Sequence, residues 1–357
     1  MTIKTAVVGY GYSAKTFHIP FLINSDQFDL IAIKSSKPDE VNKDLPAVKV
    51  YTDMSELLKN SAVELVIITA PSQYHFELAT SCLQAKKHVI IEKPMVSDCA
   101  QARALVALAK QQGVICSVYH NRRWDGDFLT VKKLINSGKL GTVRYVESHF
   151  DRFRPVVRDR WREQAGPGTG IWFDLGSHLL DQALCLFGLP QAITGRCIPL
   201  RDNSTTTDFF HVLLHYPQLE MVLHGSPYCA APNIRFQIQG TKGSFIKFGL
   251  DPQEDQLKAE VKPLENTGVV TPKWGKDRAE QYGMLYTEEQ QEVIATEDGC
   301  YQNYYLEIAD AILKGHNVPV TAEDGLKVIK LLELAILSSD KGKTLSVDDY
   351  WEMDHYE

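Results

Sequence analysis

The sequence predicts an α/β protein: an N-terminal Rossmann-type doubly wound parallel sheet, then a C-terminal α+β domain with a mostly antiparallel open sheet. Three observations lead there. Short apolar runs alternate with helix-period segments over residues 3–120, the pattern of right-handed crossovers between parallel strands. Further on, strand-like runs follow one another with only turn signals between them, as in an antiparallel sheet. At 357 residues the chain also exceeds what one core usually serves.

The first strands are IKTAVV, DLIAIK, ELVIIT, HVII and VICSVY, with SQYHFELATSCLQA and SDCAQARALVALAKQQG among the helical segments between them. In the latter, Ser97 and Asp98 are cap candidates and Gly113 is the stop. After Asp125 come a helix in DFLTVKKLINSG, a strand in TVRYVESHFDRF, an irregular arginine-rich segment and a helix from about Leu175 to Phe187. QAITGRCIPL, TDFFHVLLHY, EMVLHGSPY, NIRFQIQG and GSFIKFGL then read as consecutive strands. The polar, Gly- and Pro-bearing stretch Asp251 to Thr296 reads as loop, and helices near Tyr301–Lys314 and Ala322–Ser338 close the chain. The expected division is 1–121, binding a dinucleotide, and 122–357, binding substrate and mediating oligomerisation.

An apolar share of 44% with 23% charged residues is ordinary for a soluble globular protein. The net charge of -7 comes without a basic block, which argues against nucleic acid or anionic lipid as partners and leaves small metabolites. Seven scattered cysteines with no C-x-x-C pair read as reduced thiols. MTIKTAVVG enters a strand directly, without the order of a signal peptide, and no apolar run approaches a membrane span. The expected location is cytoplasmic. An open antiparallel sheet exposes one face unless covered, so a homodimer or homotetramer is expected.

Gly9-Tyr10-Gly11-Tyr12-Ser13-Ala14 follows an apolar strand and opens a helical segment, the context a G-x-G-x-x-G/A dinucleotide loop requires. The first glycine permits the turn, the second lets backbone approach a pyrophosphate, and the small third residue lets helix and strand pack. Free N–H groups at the helix start favour the phosphates. NAD sites commonly carry an acid about 20 residues on, at the end of the second strand. Here that place reads Lys34-Ser35-Ser36-Lys37, with Asp39 and Glu40 only after Pro38. Ser35 and Ser36 as donors, with Lys37 or Lys34 supplying charge, suit a 2′-phosphate. NADP is therefore expected to be preferred, with NAD possible.

Ligands of open parallel sheets bind beyond the carboxyl ends of the strands. Glu92 and Lys93 stand at such an end after HVII, so this charged pair need not be buried in a core. Asp174 and His178 lie four apart and Asp181 three further on, which on a helix puts them on one face. Oxidising an alcohol by hydride transfer needs a base for the hydroxyl proton, and a neutral imidazole suits that near pH 7. An ammonium can polarise the same oxygen, and a carboxylate can orient the imidazole. Lys93, His178 and Asp174 are the residue types for these three tasks. A lone helix histidine is more often structural, and an Asp174/His178/Asp181 metal set has no further His or Cys at ligand spacing, so no metal is expected.

The GYGYSA loop, APSQYH at Ala70–His75, Glu92-Lys93-Pro94 and D-L-G-S-H at Asp174–His178 together resemble the Gfo/Idh/MocA oxidoreductases, the glucose-fructose oxidoreductase and inositol dehydrogenase family. The resemblance runs nearly end to end. It implies a catalytic group of Lys93, Asp174 and His178. It also implies cofactor contacts at Thr69, Pro71, Ser72, His75, Glu92, Lys93 and Asn121, with Trp161 and Arg162 near the nicotinamide end. SVYHNRRWDGDFLTVKKLI, DRFRP, RWRE, FDLGSH and TDFFHV look like the NADP-preferring scyllo-inositol dehydrogenases of bacteria, implying a cyclitol or sugar as substrate. Two departures are Ala14 for the last loop glycine and Thr169 between Gly168 and Gly170; neither removes a catalytic group. Arg122, Arg123, Arg152, Arg154, Arg160 and Arg162 suit substrate hydroxyls, cofactor phosphate or structural pairing alike. A non-catalytic dinucleotide-sensing regulator and an NAD-assisted glycoside hydrolase are the competing functions.

Overall fold

The computed structural model describes residues 2–265 and 268–353. Among them the chain forms two compact units, one of 1–121, 253–275 and 300–327, the other of 122–252, 276–299 and 328–357. Two later segments thus join the first unit, whereas the sequence reading kept everything after 121 together.

In the first unit, β1 (Ile3–Val8), β2 (Phe28–Lys34), β3 (Lys49–Tyr51), β4 (Leu65–Ile68), β5 (His88–Ile91) and β6 (Cys116–Val118) form a parallel sheet in the order β3-β2-β1-β4-β5-β6. This is the doubly wound dinucleotide order. β4 is buried at every residue and β5 at three of four, as strands with both faces covered must be. The short β3, KVY, has no apolar run and gives no signal in the sequence. Crossovers are supplied by α1 (Ile19–Leu22), α2 (Pro38–Asp44), α3 (Met54–Leu58), α4 (His75–Gln84) and α5 (Cys99–Gln112). Asp98 caps α5 by accepting from the Gln101 N–H at 2.8 Å, and Gly113 ends it in the left-handed region at φ 67°.

In the same unit, α8 (Gln253–Lys258) and α9 (Gln302–Lys314) are held by hydrogen bonds from Tyr301 N–H to Gln253 Oε1 and from Trp274 Nε1 to Gln302 Oε1, both 2.8 Å. The reason they pack here is aromatic. Tyr305 stacks on Phe21 with centroids 5.4 Å apart, and Tyr304 meets Tyr119 edge to face at 4.9 Å.

The second unit contains α6 (Gly126–Asn136), α7 (Ser177–Phe187) and a nine-stranded sheet. Its strands are β7 (Val143–His149), β8 (Ala192–Ile198), β9 (Phe209–Tyr216), β10 (Leu219–Gly225), β11 (Ile234–Gly240), β12 (Ser244–Phe248), β13 (Gly283–Tyr286), β14 (Gln291–Ile294) and β15 (Leu345–Ser346). They lie in the order β14-β13-β12-β11-β7-β10-β9-β8-β15, and β7–β10 is the one parallel pair among the described strands of this sheet. The loop reading of Asp251–Thr296 is corrected by α8, β13 and β14. The two strands add to the β12 edge and are only four residues each, with little apolar alternation to betray them.

α10 (Ala322–Lys341) and α11 (Val347–Met353) complete the chain. α10 lies against β8 at Gly195, where a Cβ would fall 2.1 Å from the Ala335 carbonyl oxygen, and the Gly195 N–H donates to Ser338 Oγ at 2.9 Å. Gly195→Val is therefore expected to destabilise the protein by about 2 kcal/mol or more in chemical denaturation, because backbone rather than a movable side chain blocks the space.

Candidate functional site

The dinucleotide loop is built by close approach of two strand ends. Gly9 has φ 102°, and a Cβ there would lie 2.7 Å from Thr69 Oγ1, which itself donates to the Val8 carbonyl at 3.0 Å. At Gly11 a Cβ would meet nothing within 4 Å, so the backbone borders open space, as a cradle for a pyrophosphate needs. Ala14 is fully buried, taking the role of the small third residue. Tyr12 is exposed, while Tyr10 donates to Asp44 at 2.9 Å. These features fit a dinucleotide.

The end of β2 carries Lys34, Ser35, Ser36 and Lys37. Ser35 is buried, its N–H donates to the Tyr51 carbonyl at 2.9 Å, and its Oγ accepts from the Lys37 N–H at 3.0 Å. Ser36 and Lys37 are exposed. Of the acids opening α2, Glu40 pairs with Lys15 at 2.7 Å and with Lys37 at 3.7 Å.

Glu92 departs from expectation. Its side chain is only 13% exposed, so the acid of the pair is close to buried, and the structure compensates it rather than leaving it in water. Ser13 Oγ and His18 Nε2 both donate to Oε1, the latter at 3.0 Å, while the Lys93 backbone N–H donates to Oε2 at 3.0 Å. With Nε2–H spent on the carboxylate, the other ring nitrogen of His18, Nδ1, lies 2.6 Å from the Tyr305 hydroxyl. Burial pushes the Glu92 pKa upward, but the hydrogen bonds from His18 and Ser13 and the charges of His18 and Lys93 outweigh it, bringing it down to about 2.

Ser13 and His18 reach one oxygen because residues Ala14–His18 form a π-helical turn. Five residues apart, they would diverge by about 140° on an α-helix. The wider i→i+5 turn brings them onto one face. His18 and Tyr305 are site-supporting residues that sequence reasoning missed; the only local clue is a histidine five places after the serine of the loop.

Other strand-end residues divide by role. Ser72 and Asn121 are buried, Pro71 is exposed and Lys93 is half-buried. His75 is buried, with Nδ1 3.0 Å from the Pro94 carbonyl and Nε2 2.8 Å from the Ala70 carbonyl, and burial lowers its pKa. The ring thus lies between a carbonyl of the Ala70–His75 loop and one of the turn after Glu92, and its single N–H donates to one of them.

In the second unit Asp174 lies in a π-helical turn, Trp172–Gly176, that runs directly into α7, so the helix begins earlier than Leu175. Gly176 is required there by packing, since a Cβ would fall 2.2 Å from the Trp172 indole, whose Nε1 donates to the Leu332 carbonyl at 3.0 Å. His178 is buried near the start of α7, and Asp174 is partly exposed with Arg162 Nε 3.6 Å from its Oδ1. Asp181, grouped with them by spacing, is instead buried against Arg123, whose Nη2 lies 2.7 Å from Oδ1 and Nε 2.9 Å from Oδ2. Arg122 pairs with Asp125 at 3.3 Å. The side chain of Trp161 lies outside the described residues. Gly168 and Gly170 both have positive φ, with Thr169 held between them by its hydroxyl bond to the Gly166 carbonyl at 2.8 Å.

A buried arginine positions α7. Arg235 donates to Asp127 of α6 at 3.2 Å, Ser148 of β7 at 2.7 Å and Gln182 of α7 at 2.7 Å, and Gln182 in turn donates to the Arg122 carbonyl at 2.8 Å. Nothing in the sequence around Arg235 distinguishes it from the other arginines.

Two outcomes follow. Glu92→Leu is expected to lower unfolding free energy by about 3 kcal/mol, since it strands the half-buried Ser13 and the buried His18 donors. Because the folded Glu92 pKa is depressed from 4.5 to about 2, its ionic contribution is full above 4.5 and lost as pH falls through about 2. The stability gap between wild type and Glu92→Gln should therefore be flat above that window and shrink within it, as acid-titrated denaturation measures.

Comparison with known proteins agrees with both halves. The oxidoreductase family model for an NAD-binding Rossmann fold matches residues 3–120, and that for the C-terminal alpha/beta domain matches 132–347. The chain is 42% identical over 351 residues to scyllo-inositol 2-dehydrogenase (NADP(+)) IolW of Bacillus subtilis, covering 97% of this chain and 96% of the relative. It is 45% identical to the uncharacterised oxidoreductase YdgJ of Escherichia coli, covering 96% of this chain and 98% of YdgJ. A solved structure of the Bacillus subtilis oxidoreductase yvaA superposes with a TM-score of 0.92 at 42% identity, covering 97% and 98% of the two chains. A dinucleotide loop and a D-L-G-S-H helix start, each on its own α/β unit and each matched by its own model, make this chain a member of the Gfo/Idh/MocA oxidoreductase family.

Proposed function

We propose that the protein is an NADP-dependent dehydrogenase that interconverts a secondary hydroxyl of a cyclitol and its ketone, with scyllo-inositol and scyllo-inosose as the pair. The observation that carries the cofactor choice is the end of β2, where Lys34, buried Ser35 and exposed Ser36 and Lys37 stand in place of a ribose-binding acid. The substrate rests on the likeness to a relative named as a scyllo-inositol 2-dehydrogenase. Nicotinamide, when bound, supplies the hydride chemistry. In this reading the His178 imidazole takes the hydroxyl proton, the Lys93 ammonium stabilises developing negative charge on the same oxygen, and Asp174 orients the imidazole. Trp161 and Arg162 belong to the nicotinamide side of this reading, and Thr69, Pro71, Ser72, Glu92 and Asn121 to the cofactor contacts. A homo-oligomer in the cytoplasm is part of the proposal; no helix of the described residues is long and apolar enough to cross a membrane.

Mixing the protein with NADP and scyllo-inositol should raise the absorbance of reduced nicotinamide. Lys93→Ala should cut kcat by about 100-fold or more, the scale of losing one oxyanion donor. Absence of turnover with any cyclitol or aldose would sink the dehydrogenase reading. Nucleotide binding without turnover would favour a regulator, and glycoside cleavage with retained NAD and no net reduction would favour a hydrolase. Ser35→Asp should move preference toward NAD at least tenfold through like-charge repulsion of the 2′-phosphate, read as the ratio of kcat/KM values. Oxidation should fall on the acid side as His178 protonates, and a flat profile across the histidine range would contradict its role as base.

A further inference from the structure

On the sheet of the second unit, three histidines stand side by side on adjacent strands. His149 of β7 is paired in register with His224 of β10, which is paired with His211 of β9. Alternation along the first strand puts Tyr145, Glu147 and His149 on the same face, and Asp151 continues it. The opposite face of these strands carries buried Val146, Phe210, Met221 and Leu223, with Phe210 against Trp172 at a centroid distance of 5.0 Å. The histidine row is therefore on the side of the sheet away from the turn that bears Asp174.

Nδ1 of His149, a carboxylate oxygen of Asp151 and Nε2 of His224 converge. His149 Nδ1 is 3.1 Å from Asp151 Oδ2, His224 Nε2 is 3.4 Å from Asp151 Oδ1, and one ligand atom from each of the three residues lies within 4.8 Å of the others. A tetrahedral zinc with bonds of about 2.0–2.1 Å has ligand-to-ligand edges of about 3.3 Å, which the two imidazole-to-carboxylate separations already match, while the imidazole-to-imidazole separation closes from at most 4.8 Å. The atoms pointing away are also engaged as metal-bound imidazoles require. His149 Nε2 is 2.8 Å from Glu147 Oε2, and Glu147 Oε1 accepts from the Tyr145 hydroxyl at 2.5 Å. His224 Nδ1 faces His211 Nδ1 at 3.3 Å. A carboxylate behind one histidine and an imidazole acceptor behind the other fix the tautomers that leave His149 Nδ1 and His224 Nε2 free to ligate. The Ser226 N–H donates to Asp151 Oδ1 at 2.8 Å, which holds that carboxylate in place.

We propose that His149, Asp151 and His224 form a binding site for a divalent transition ion of the zinc class, with Glu147 and His211 as supporting partners and the fourth position left to solvent. Two imidazoles with one carboxylate suit zinc, nickel or cobalt better than calcium or magnesium, which take oxygen sets. Side-chain exposures of 13% for His149, 8% for Asp151 and 19% for His224 leave the site sheltered yet open to an ion. A bound ion would pin β7 to β10.

The test is calorimetric titration of full-length, tag-free, chelator-stripped protein with zinc. The expected result is one saturable site per chain. Asp151→Asn and His224→Gln should each weaken it at least tenfold and Glu147→Gln about 10–100-fold. His316→Gln, which alters an exposed histidine beyond α9, should leave it unchanged. No saturable one-to-one site, binding untouched by Asp151→Asn and His224→Gln, or equal loss in His316→Gln would overturn the proposal. Circular dichroism checks each variant's fold. Should a variant unfold, cobalt bound to wild type decides: an intense four-coordinate visible spectrum supports the site, and the weak spectrum of the hydrated ion refutes it.

Discussion

The first unit depends on how a nearly buried carboxylate is satisfied. Glu92 ends an apolar strand, where an uncompensated charge would cost several kcal/mol. Its solution ties distant parts of the chain to one oxygen pair: Ser13 and His18 from the helix after the glycine loop, and Tyr305 of α9 one bond further out. The π turn over Ala14–His18 is the local cost of that arrangement, and the stacked rings of Phe21, Tyr119 and Tyr305 enclose it. The lysine next in the chain is thereby set at the strand end by the same bonds that set the pyrophosphate loop.

The second unit uses the same device with the opposite sign. Arg235 is a buried cation whose partners, Asp127, Ser148 and Gln182, come from three elements. Satisfying its guanidinium fixes α7 against β7 and α6, and α7 carries His178 at its start. In both units a charge that burial penalises has become the point from which a side chain of the proposed reaction is held. Preorganisation of this kind is what hydride transfer needs, because the proton acceptor and the charge-stabilising group must be in place before reaction.

What the sequence made legible was local. The glycine loop could be read because its residues must adopt rare backbone or leave space, as Gly9 and Gly11 do. Strands β4 and β5 could be read because burial on both faces leaves uninterrupted apolar runs. β3, β13 and β14 were hidden because strands of three or four residues at or next to a sheet edge carry no such run. The groups proposed to react, Lys93, Asp174 and His178, are ones that local motifs point to, whereas their supports carry no such motif. His18, Tyr305 and Arg235 act through partners more than fifty residues away, which no spacing rule reaches, and Asp181 shows the reverse error, a helical neighbour of His178 claimed by Arg123.

The most direct measurement is a double-mutant cycle between His18→Gln and Glu92→Gln, read as the dissociation constant for reduced NADP. If one carboxylate couples the loop helix to the strand end, the two changes should be non-additive by about 1 kcal/mol or more. Additivity within about 0.3–0.5 kcal/mol would mean that the two residues serve the nucleotide independently, and the account of Glu92 as the common anchor would be wrong.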